Sequence, residues 1–373
     1  MARPPIAATL AAAALALLGA CATAPERPAA ATADPLADFP RLDPAPLPGA
    51  SPAARQFAAS LKRGVNFGNM LDAPSEGAWT LRVDDRYIDM VGLQGGGRIA
   101  SVRLPVRWSN HASADAQARI DPVFMARVDD VVRRLLARGV PVVLDMHHYR
   151  QLDGDPPDAG ETTVPDALVE RRFLAMWQQI AEHFRDAPAT LAFEPYNEPH
   201  GRLAPHWNDL MSRAVRLVRW SNPTRILVVG PTQWNSARAL DTFAMPPDAN
   251  LVLTVHHYDP FAFTHQGAPW IKPGLPLGVD CCSPQQLADI RGPLDLAQRF
   301  GARTGYPFYV GEFGAFETVP QDDRNRYTRT IRDEMERRGM TWTYWELAGG
   351  FGFFDPVAGR LRANGLEEAL FGP

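Results

Sequence analysis

Cysteine is scarce in this chain, and the scarcity excludes two kinds of protein. The 373 residues include three cysteines, at positions 21, 281 and 282. A disulfide-stapled fold or a structural zinc site would need more of them, arranged in spaced pairs. Neighbouring Cα atoms lie about 3.8 Å apart, below the usual disulfide range, so a bridge between Cys281 and Cys282 would be strained. The sequence leaves open whether these two form a vicinal disulfide or remain loop thiols.

A concentration of charge of one sign is also lacking. The 38 basic and 42 acidic side chains give a formal net charge of −4, and the two signs are interspersed along the chain. A nucleic-acid-binding surface requires a basic patch or stripe, so we expect no nucleic-acid partner. With 46% hydrophobic and 21% charged residues, the composition is that of an ordinary globular protein.

Long hydrophobic runs are missing except near the N-terminus. Residues 6–18 form an Ala/Leu-rich run of signal-peptide length that is too short to span a bilayer. The following Leu18-Gly19-Ala20-Cys21 resembles a bacterial lipobox, in which the cysteine is lipidated and becomes the mature N-terminus. We predict a lipoprotein signal peptide over residues 1–21 with Cys21 as the anchor, the alternative being an ordinary secretory signal. Because Ala22 resembles outer-membrane sorting signals, we expect attachment to the outer membrane of a bacterial cell envelope.

Large apolar side chains are few between residues 22 and 56, where alanine and proline dominate. Such a segment cannot bury enough surface to order itself, so we predict a disordered tether over these residues, extended by its prolines. From about Leu61 the pattern changes. We place a single globular domain over residues 57–373 and expect it to be monomeric.

Within this domain, short apolar runs alternate with helical patterns. The predicted strands cover eight segments: 64–67, 98–104, 140–146, 190–196, 225–229, 251–255, 307–310 and 340–345. Continuous apolar strands with helices or long loops between them are typical of a parallel sheet. Eight such units in about 310 residues predict an α/β fold, a closed (β/α)₈ or TIM barrel, whose active site lies at the C-terminal ends of the strands.

Two glutamates occupy such strand ends. Glu198 follows the fourth predicted strand within Asn197-Glu198-Pro199, and Glu312 closes the seventh. This placement suits catalysis, because the strand fixes the backbone while the loop leaves the head group free. Cleavage of a glycosidic bond requires two carboxyl groups, one as proton donor and one as nucleophile or base. The pair therefore favours glycoside hydrolysis.

These motifs resemble those of glycoside hydrolase family 5, the large family of cellulases and mannanases. The match runs from about Gly64 to the end of the chain. Besides Asn197-Glu198-Pro199 and Gly311-Glu312-Phe313-Gly314, it includes five single residues in the family's order: Arg103, His147, His256, Tyr258 and Trp345. The resemblance implies a retaining mechanism in which Glu198 is the acid/base and Glu312 the nucleophile.

Four further side chains have expected roles beside these glutamates. Arg103 would favour the charged form of Glu312, and Tyr258 would donate a hydrogen bond to it. Asn197 would hold a sugar hydroxyl next to the reacting carbon. Trp345 would stack on the sugar ring, whose C–H groups pack well on an aromatic plane.

Metal binding has to be weighed because His147 and His256 each belong to a His-His pair. A metal-dependent hydrolase of this fold would usually carry a His-x-His at the end of strand one, which here reads Val65-Asn66-Phe67-Gly68-Asn69. We therefore expect both histidines to contact substrate or the carboxylates, and we expect no metal or other cofactor. Trp270, in a long loop after strand six, would extend the sugar-binding surface.

The substrate predicted from the resemblance is a β-1,4-glucan, either cellulose-like or of mixed linkage, cleaved by an endo-acting enzyme. Mannan and xyloglucan stay open as alternatives, because loops that a single sequence does not resolve set that choice. An alternative of another class is a polysaccharide-binding lipoprotein without catalytic activity.

Overall fold

The computed structural model describes residues 34–92 and 97–373. Two units are distinguished, residues 1–37 and residues 38–373. In the described part of the first unit, residues 34–37 form a turn in which the Leu36 amide donates to the Asp34 carboxylate at 2.9 Å. The predicted signal peptide and Cys21 lie outside the described residues. In the part of the chain that is described, no helix is long and apolar enough to cross a membrane.

Eight parallel strands form a closed barrel in the second unit. They are β1 (Arg63–Asn66), β2 (Ser101–Leu104), β3 (Val142–Asp145), β4 (Leu191–Glu194), β5 (Leu227–Val229), β6 (Leu251–His256), β7 (Phe308–Glu312) and β8 (Thr341–Tyr344). Each strand pairs with the next, and β8 pairs with β1 to complete the ring. A short antiparallel pair, β9 (Phe354–Asp355) and β10 (Arg360–Leu361), follows. The predicted (β/α)₈ barrel is confirmed.

Helices lie between consecutive barrel strands, before the first strand and after the last one. They are α1 (Pro52–Leu61), α2 (Asp85–Met90), α3 (Pro122–Ala137), α4 (Arg150–Asp153), α5 (Asp166–His183), α6 (Trp207–Ser221), α7 (Thr232–Asn235), α8 (Phe261–Thr264), α9 (Pro284–Thr304), α10 (Gln321–Arg337) and α11 (Leu366–Phe371). The start of α3 shows how the sequence sets such a boundary. Asp121 accepts a hydrogen bond from the Val123 amide, and Pro122 occupies the first turn, where its missing N–H costs nothing.

The helix α1 packs against the barrel. Ser51 caps it by accepting from the Ala54 amide at 3.1 Å, and its buried residues Phe57 and Leu61 join Tyr309 and other strand residues in one apolar cluster. This burial corrects the predicted boundary between tether and domain, because residues 38–56 belong to the compact unit. The Ala/Pro composition concealed a helix start that Ser51 and the proline after it mark.

Cys281 and Cys282 lie in the loop between α8 and α9 and form a vicinal disulfide. Arg326 on α10 donates its Nε–H to the Cys281 carbonyl at 2.6 Å. The alternative that the sequence left open is thus decided in favour of the bridge.

Candidate active site

The C-terminal ends of three barrel strands bring the predicted catalytic glutamates together. Glu198 follows β4, Glu312 ends β7, and His256 ends β6 between them. The His256 Nδ1 atom lies 2.6 Å from Glu198 Oε1 and 3.8 Å from Glu312 Oε2. One carboxylate oxygen from each glutamate and a ring nitrogen of His256 all lie within 4.8 Å of one another. The two carboxyl groups therefore face each other across a gap of about one sugar carbon and its leaving oxygen.

Arg103 on β2 is fully buried beneath this pair and binds more groups than the sequence indicated. Its Nη1 donates to Glu312 Oε1 at 2.7 Å, and its Nη2 donates to Asn197 Oδ1 at 2.7 Å. It also pairs with Glu194 at 2.8 Å and with Asp145 at 2.8 Å. One guanidinium thus holds three carboxylates, of which the sequence analysis identified only Glu312.

Glu194 and Asp145 are the last residues of β4 and β3, and both side chains are fully buried. Burial raises the pKa of Asp145 to about 7, while the charge of Arg103 opposes that rise. Burial likewise raises the pKa of Glu194, again opposed by Arg103. An acidic residue closing an otherwise apolar strand was the signal in the sequence for these two positions.

The two catalytic candidates differ in what binds their oxygens. Burial raises the pKa of Glu312 to about 7, yet Arg103 and the Tyr258 hydroxyl, at 2.8 Å, both donate to its carboxylate. Withdrawal from solvent also raises the pKa of Glu198 to about 7, and Glu198 contacts the ring of His256 instead. Donors stabilise the anion, so these two hydrogen bonds favour the ionised form of Glu312.

Both site histidines are held neutral. Burial lowers the pKa of His256 to about 4 and holds the pKa of His147 well below its ordinary value. The His147 Nδ1 atom lies 3.0 Å from Asp145 Oδ2, so that carboxylate orients the ring. At Gly311 an added Cβ would lie 2.9 Å from His256 Nε2, so glycine is required there for the histidine to lie against β7.

The two predicted aromatic residues occupy different depths of the site. The ring of Trp345, just after β8, stacks on His147 with centroids 5.1 Å apart and planes 2° apart. Trp270 is 53% exposed and is linked to the centre through His265, whose ring lies 6.3 Å from Trp270 and 5.0 Å from Tyr258. Trp345 therefore lies among the candidate site residues, in contact with His147, whereas Trp270 lies further out, at the surface.

A further polar group beside Trp345 escaped the sequence analysis. Glu346 accepts a hydrogen bond from the side-chain amide of Asn69. Asp72 accepts one from the backbone amide of Asn69 at 3.0 Å. Burial raises the pKa of Glu346 to about 8 and that of Asp72 to about 7. Among the described residues, Glu346 Oε1 has no hydrogen-bond partner although it is buried. In the sequence, the position of Glu346 directly after Trp345 could have indicated that its carboxyl group lies near the site.

Among the residues that the structure describes, two groups of three side chains could offer ligand atoms to a metal ion. One comprises Glu198, His256 and Glu312, and the other Asp72, His147 and His148. A cation lies against each group. Arg103 is bonded to Glu312, and the charge of Arg107 acts on both His147 and His148. These fixed positive charges oppose a second cation, so neither group suits a metal ion well.

A family model for cellulase (glycosyl hydrolase family 5) matches residues 92–350. The chain belongs to glycoside hydrolase family 5. The resemblance drawn from the sequence motifs is therefore confirmed.

Curated relatives of this family 5 glycoside hydrolase include endoglucanases of several bacteria. Endoglucanase H of Acetivibrio thermocellus is 31% identical over 313 residues, which are 83% of this chain and 32% of that protein. Endoglucanase A of Ruminococcus albus is 30% identical over 246 residues, 58% of this chain and 64% of that protein. The chain thus spans less than two thirds of the length of these relatives.

Several solved structures similar to this family 5 member match over all or nearly all of their length. One, described as an endoglucanase, has a TM-score of 0.79 and 33% identity, with coverage of 86% of this chain and 100% of that chain. Thermotoga maritima Cel5A in complex with cellobiose has a TM-score of 0.78 and 35% identity, with coverage of 86% and 100%. The same Cel5A in complex with mannotriose gives the same values.

Proposed function

We propose that this family 5 enzyme is an endo-β-1,4-glucanase that retains the anomeric configuration through a covalent glycosyl-enzyme intermediate. The observation that carries the proposal is the approach of the Glu198 and Glu312 carboxylate oxygens to within 4.8 Å. Retaining glycosidases place their carboxyl groups about 5–5.5 Å apart, whereas inverting ones need roughly 6.5–9.5 Å to admit a water molecule. The short gap favours direct attack by a carboxylate.

In the first step Glu312 attacks the anomeric carbon while Glu198 donates its proton to the leaving oxygen. In the second step Glu198 takes a proton from water, and the resulting hydroxide releases the sugar from Glu312. Arg103 and Tyr258 keep Glu312 ionised and aimed, since each donates to one of its oxygens. Asn197, itself fixed by Arg103 at 2.7 Å, presents its amide to a hydroxyl of the reacting sugar.

Hydrolysis by this pair has a definite pH dependence. The active form carries one proton, on Glu198, with Glu312 ionised. Because burial raises the pKa of both carboxyl groups to about 7, activity falls below neutrality as Glu312 gains a proton and above it as Glu198 loses one. The pair then titrates in two coupled steps, and the rate profile is bell-shaped around neutral pH.

The preference for glucan is supported by the relatives named endoglucanase and by the Cel5A complex with cellobiose. A second candidate substrate is β-mannan, which the Cel5A complex with mannotriose favours. The two sugars differ at one hydroxyl of each ring. That hydroxyl is on the carbon next to the reacting one, so the groups that face it, together with the outer loops, set the preference.

Purified protein is expected to cleave soluble β-1,4-glucan internally and to release the β anomer first. The test is a panel of soluble β-glucan, mannan and xyloglucan, with product lengths measured and the first anomer followed by NMR. An α anomer appearing first would contradict the retaining mechanism. Faster cleavage of mannan than of glucan would change the proposed substrate to mannan and leave the proposed mechanism unchanged.

We also propose that the enzyme is a lipoprotein of the bacterial cell envelope, anchored through Cys21 to the outer membrane. The support is the lipobox-like Leu18-Gly19-Ala20-Cys21 after an apolar run. Wild-type protein is expected to partition with membranes and Cys21→Ala to be released or left unprocessed, as fractionation and mass spectrometry of the N-terminus would show. A mature N-terminus elsewhere, without lipid, would contradict this anchoring.

A further inference from the structure

His200 lies two residues after the acid/base candidate and binds its backbone. The His200 Nδ1 atom is 2.6 Å from the carbonyl oxygen of Glu198, and Nε2 is 3.2 Å from Asp155 Oδ2. The backbone amide of His200 donates to Asp153 Oδ1 at 3.2 Å. The side chain is 13% exposed, so these contacts are largely shielded from solvent.

The two ring contacts of His200 select the charged imidazolium. A carbonyl oxygen accepts a hydrogen bond and never donates one, so Nδ1 must carry a proton to bind Glu198. An ionised carboxylate likewise only accepts, so Nε2 must carry one to bind Asp155. Burial disfavours the charged ring, but Asp153 and Asp155 outweigh burial and raise the pKa of His200 above its ordinary value.

The loop after β5 holds His200 from the other side. Trp234 stacks on the imidazole with centroids 4.5 Å apart and planes 21° apart. The next residue, Asn235, donates from its side-chain amide to the carbonyl of Asn197. Gln233, Trp234 and Asn235 all have left-handed backbone, with φ of 56°, 57° and 55°. Such strained backbone persists only where the surroundings enforce it, and here it aims two side chains at the end of β4.

Side chains from outside β4 therefore bind two consecutive carbonyls, those of Asn197 and Glu198. We propose that His200, held by Asp153, Asp155 and Trp234, is a positioning residue that fixes the backbone of Glu198 and places a positive charge behind its carboxyl group. This role rests on the proposed function of Glu198 as the acid/base.

The charge on His200 has a definite effect on the proton of Glu198. Burial raises the pKa of the Glu198 carboxyl, and the positive charge of His200 partly offsets that rise. The charged and titratable groups around His200 are Asp153 on α4, Asp155 after it, Glu198 after β4 and His148 after β3. Arg150 reaches Asp155 at 3.9 Å, and the Tyr196 hydroxyl donates to Asp153.

Two variants separate the positioning from the charge. In His200→Asn the amide nitrogen occupies the place of Nδ1, so the bond to the Glu198 carbonyl is kept while the charge is lost. In His200→Ala both are lost. The matched control is His206→Gln, because His206 is exposed and no catalytic candidate contacts it in the described structure. Melting temperatures establish that each variant is folded.

The Glu198 carboxyl is titrated by ¹³C NMR in each variant, its signal being assigned by its loss in Glu198→Gln. Without the positive charge, His200→Asn is expected to raise the pKa of Glu198 by about 1 unit, whereas His206→Gln leaves it unchanged. Equal values in wild type and His200→Asn would overturn the electrostatic role. Because this titration needs no substrate, it tests His200 even if the proposed glucanase activity is wrong.

Turnover of aryl β-cellobiosides tests the positioning. His200→Ala is expected to lower kcat roughly 10- to 100-fold for a poor leaving group, which needs the proton of Glu198, and less than about 3-fold for a good one. The alkaline limb of kcat/KM should move to higher pH in His200→Asn. An equal loss on both substrates, with no change in the limb, would mean that His200 merely supports the fold.

Discussion

Glu312→Ala is expected to lower glucan hydrolysis by roughly 10³-fold or more, since no carboxylate remains to attack the anomeric carbon. The substitution leaves a space beneath that carbon, beside Arg103 and the Tyr258 hydroxyl, which donate to Glu312 in the wild type. Azide fits this space and carries the charge that both donors stabilise. Azide is therefore expected to restore turnover. The product should be an α-glycosyl azide, because a single displacement at the anomeric carbon inverts the β configuration that two displacements would retain.

Glu198→Ala serves as the matched control, because it removes a carboxyl group of the same pair while leaving the nucleophile in place. It is expected to slow glucan hydrolysis by roughly 10²–10⁴-fold but to retain much of its rate of glycosylation on aryl glycosides with good leaving groups. Its azide product would have the β configuration, since azide then attacks the covalent intermediate. Exchanged behaviour of the two variants would reverse the roles of Glu198 and Glu312.

Arg103→Met is expected to destabilise the fold as well as to abolish activity. Arg103 is the shared partner of Asp145, Glu194 and Glu312, at distances of 2.7 to 2.8 Å. Removing the cation leaves buried carboxylates without compensation, and such a loss typically costs about 3–5 kcal/mol. Denaturant unfolding measures the change. Arg41→Met is the control, because Arg41 is 66% exposed in its pair with Asp209, where ion pairs contribute about 0–1 kcal/mol.

The destabilisation by Arg103→Met should depend on pH. In the wild type, burial already raises the pKa of Asp145 and Glu312 to about 7, and losing Arg103 raises both further. A carboxyl group whose pKa is higher in the folded state binds more protons there, so its folded form loses stability as pH rises. The difference between variant and wild type is expected to be smaller at pH 5 than at pH 8. A difference in the free energy of unfolding that stays constant over this pH range would show that the carboxylates around Arg103 do not cause the destabilisation.

The sequence was informative about the barrel because parallel strands buried on both faces are continuous apolar runs. It was also informative about Glu198 and Glu312, since Glu312 closes such a run and Glu198 follows one within Asn197-Glu198-Pro199. It was less informative about strand length. The run predicted over residues 225–229 gives the shorter strand Leu227–Val229, and Arg225 before it donates from its guanidinium to the carbonyls of Pro188 and Leu191.

Asp145 and Glu194 also close apolar runs, but their contacts with the candidate catalytic pair could not be predicted from the sequence. Asp145 and Glu194 become functional only because β3 and β4 are neighbours in register, with Asp145 opposite Glu194, and Arg103 crosses beneath them. Pairing in the barrel creates this proximity, and no spacing in the sequence encodes it. The stacking of Trp234 on His200 likewise depends on the left-handed backbone of residues 233–235. The residue types at these positions do not predict that conformation.

Closure of the barrel between β1 and β8 has a consequence for how the protein is made. Residues 63–65 pair with residues 342–344, so β1 has its second neighbour only after β8 has been synthesised. Until then β1 and β7 are open sheet edges, which readily pair with other chains. Pairing between such distant segments is also slow. A nascent chain is therefore exposed to aggregation until β8 is made, and loss of β8 would leave two unpaired edges rather than a smaller barrel.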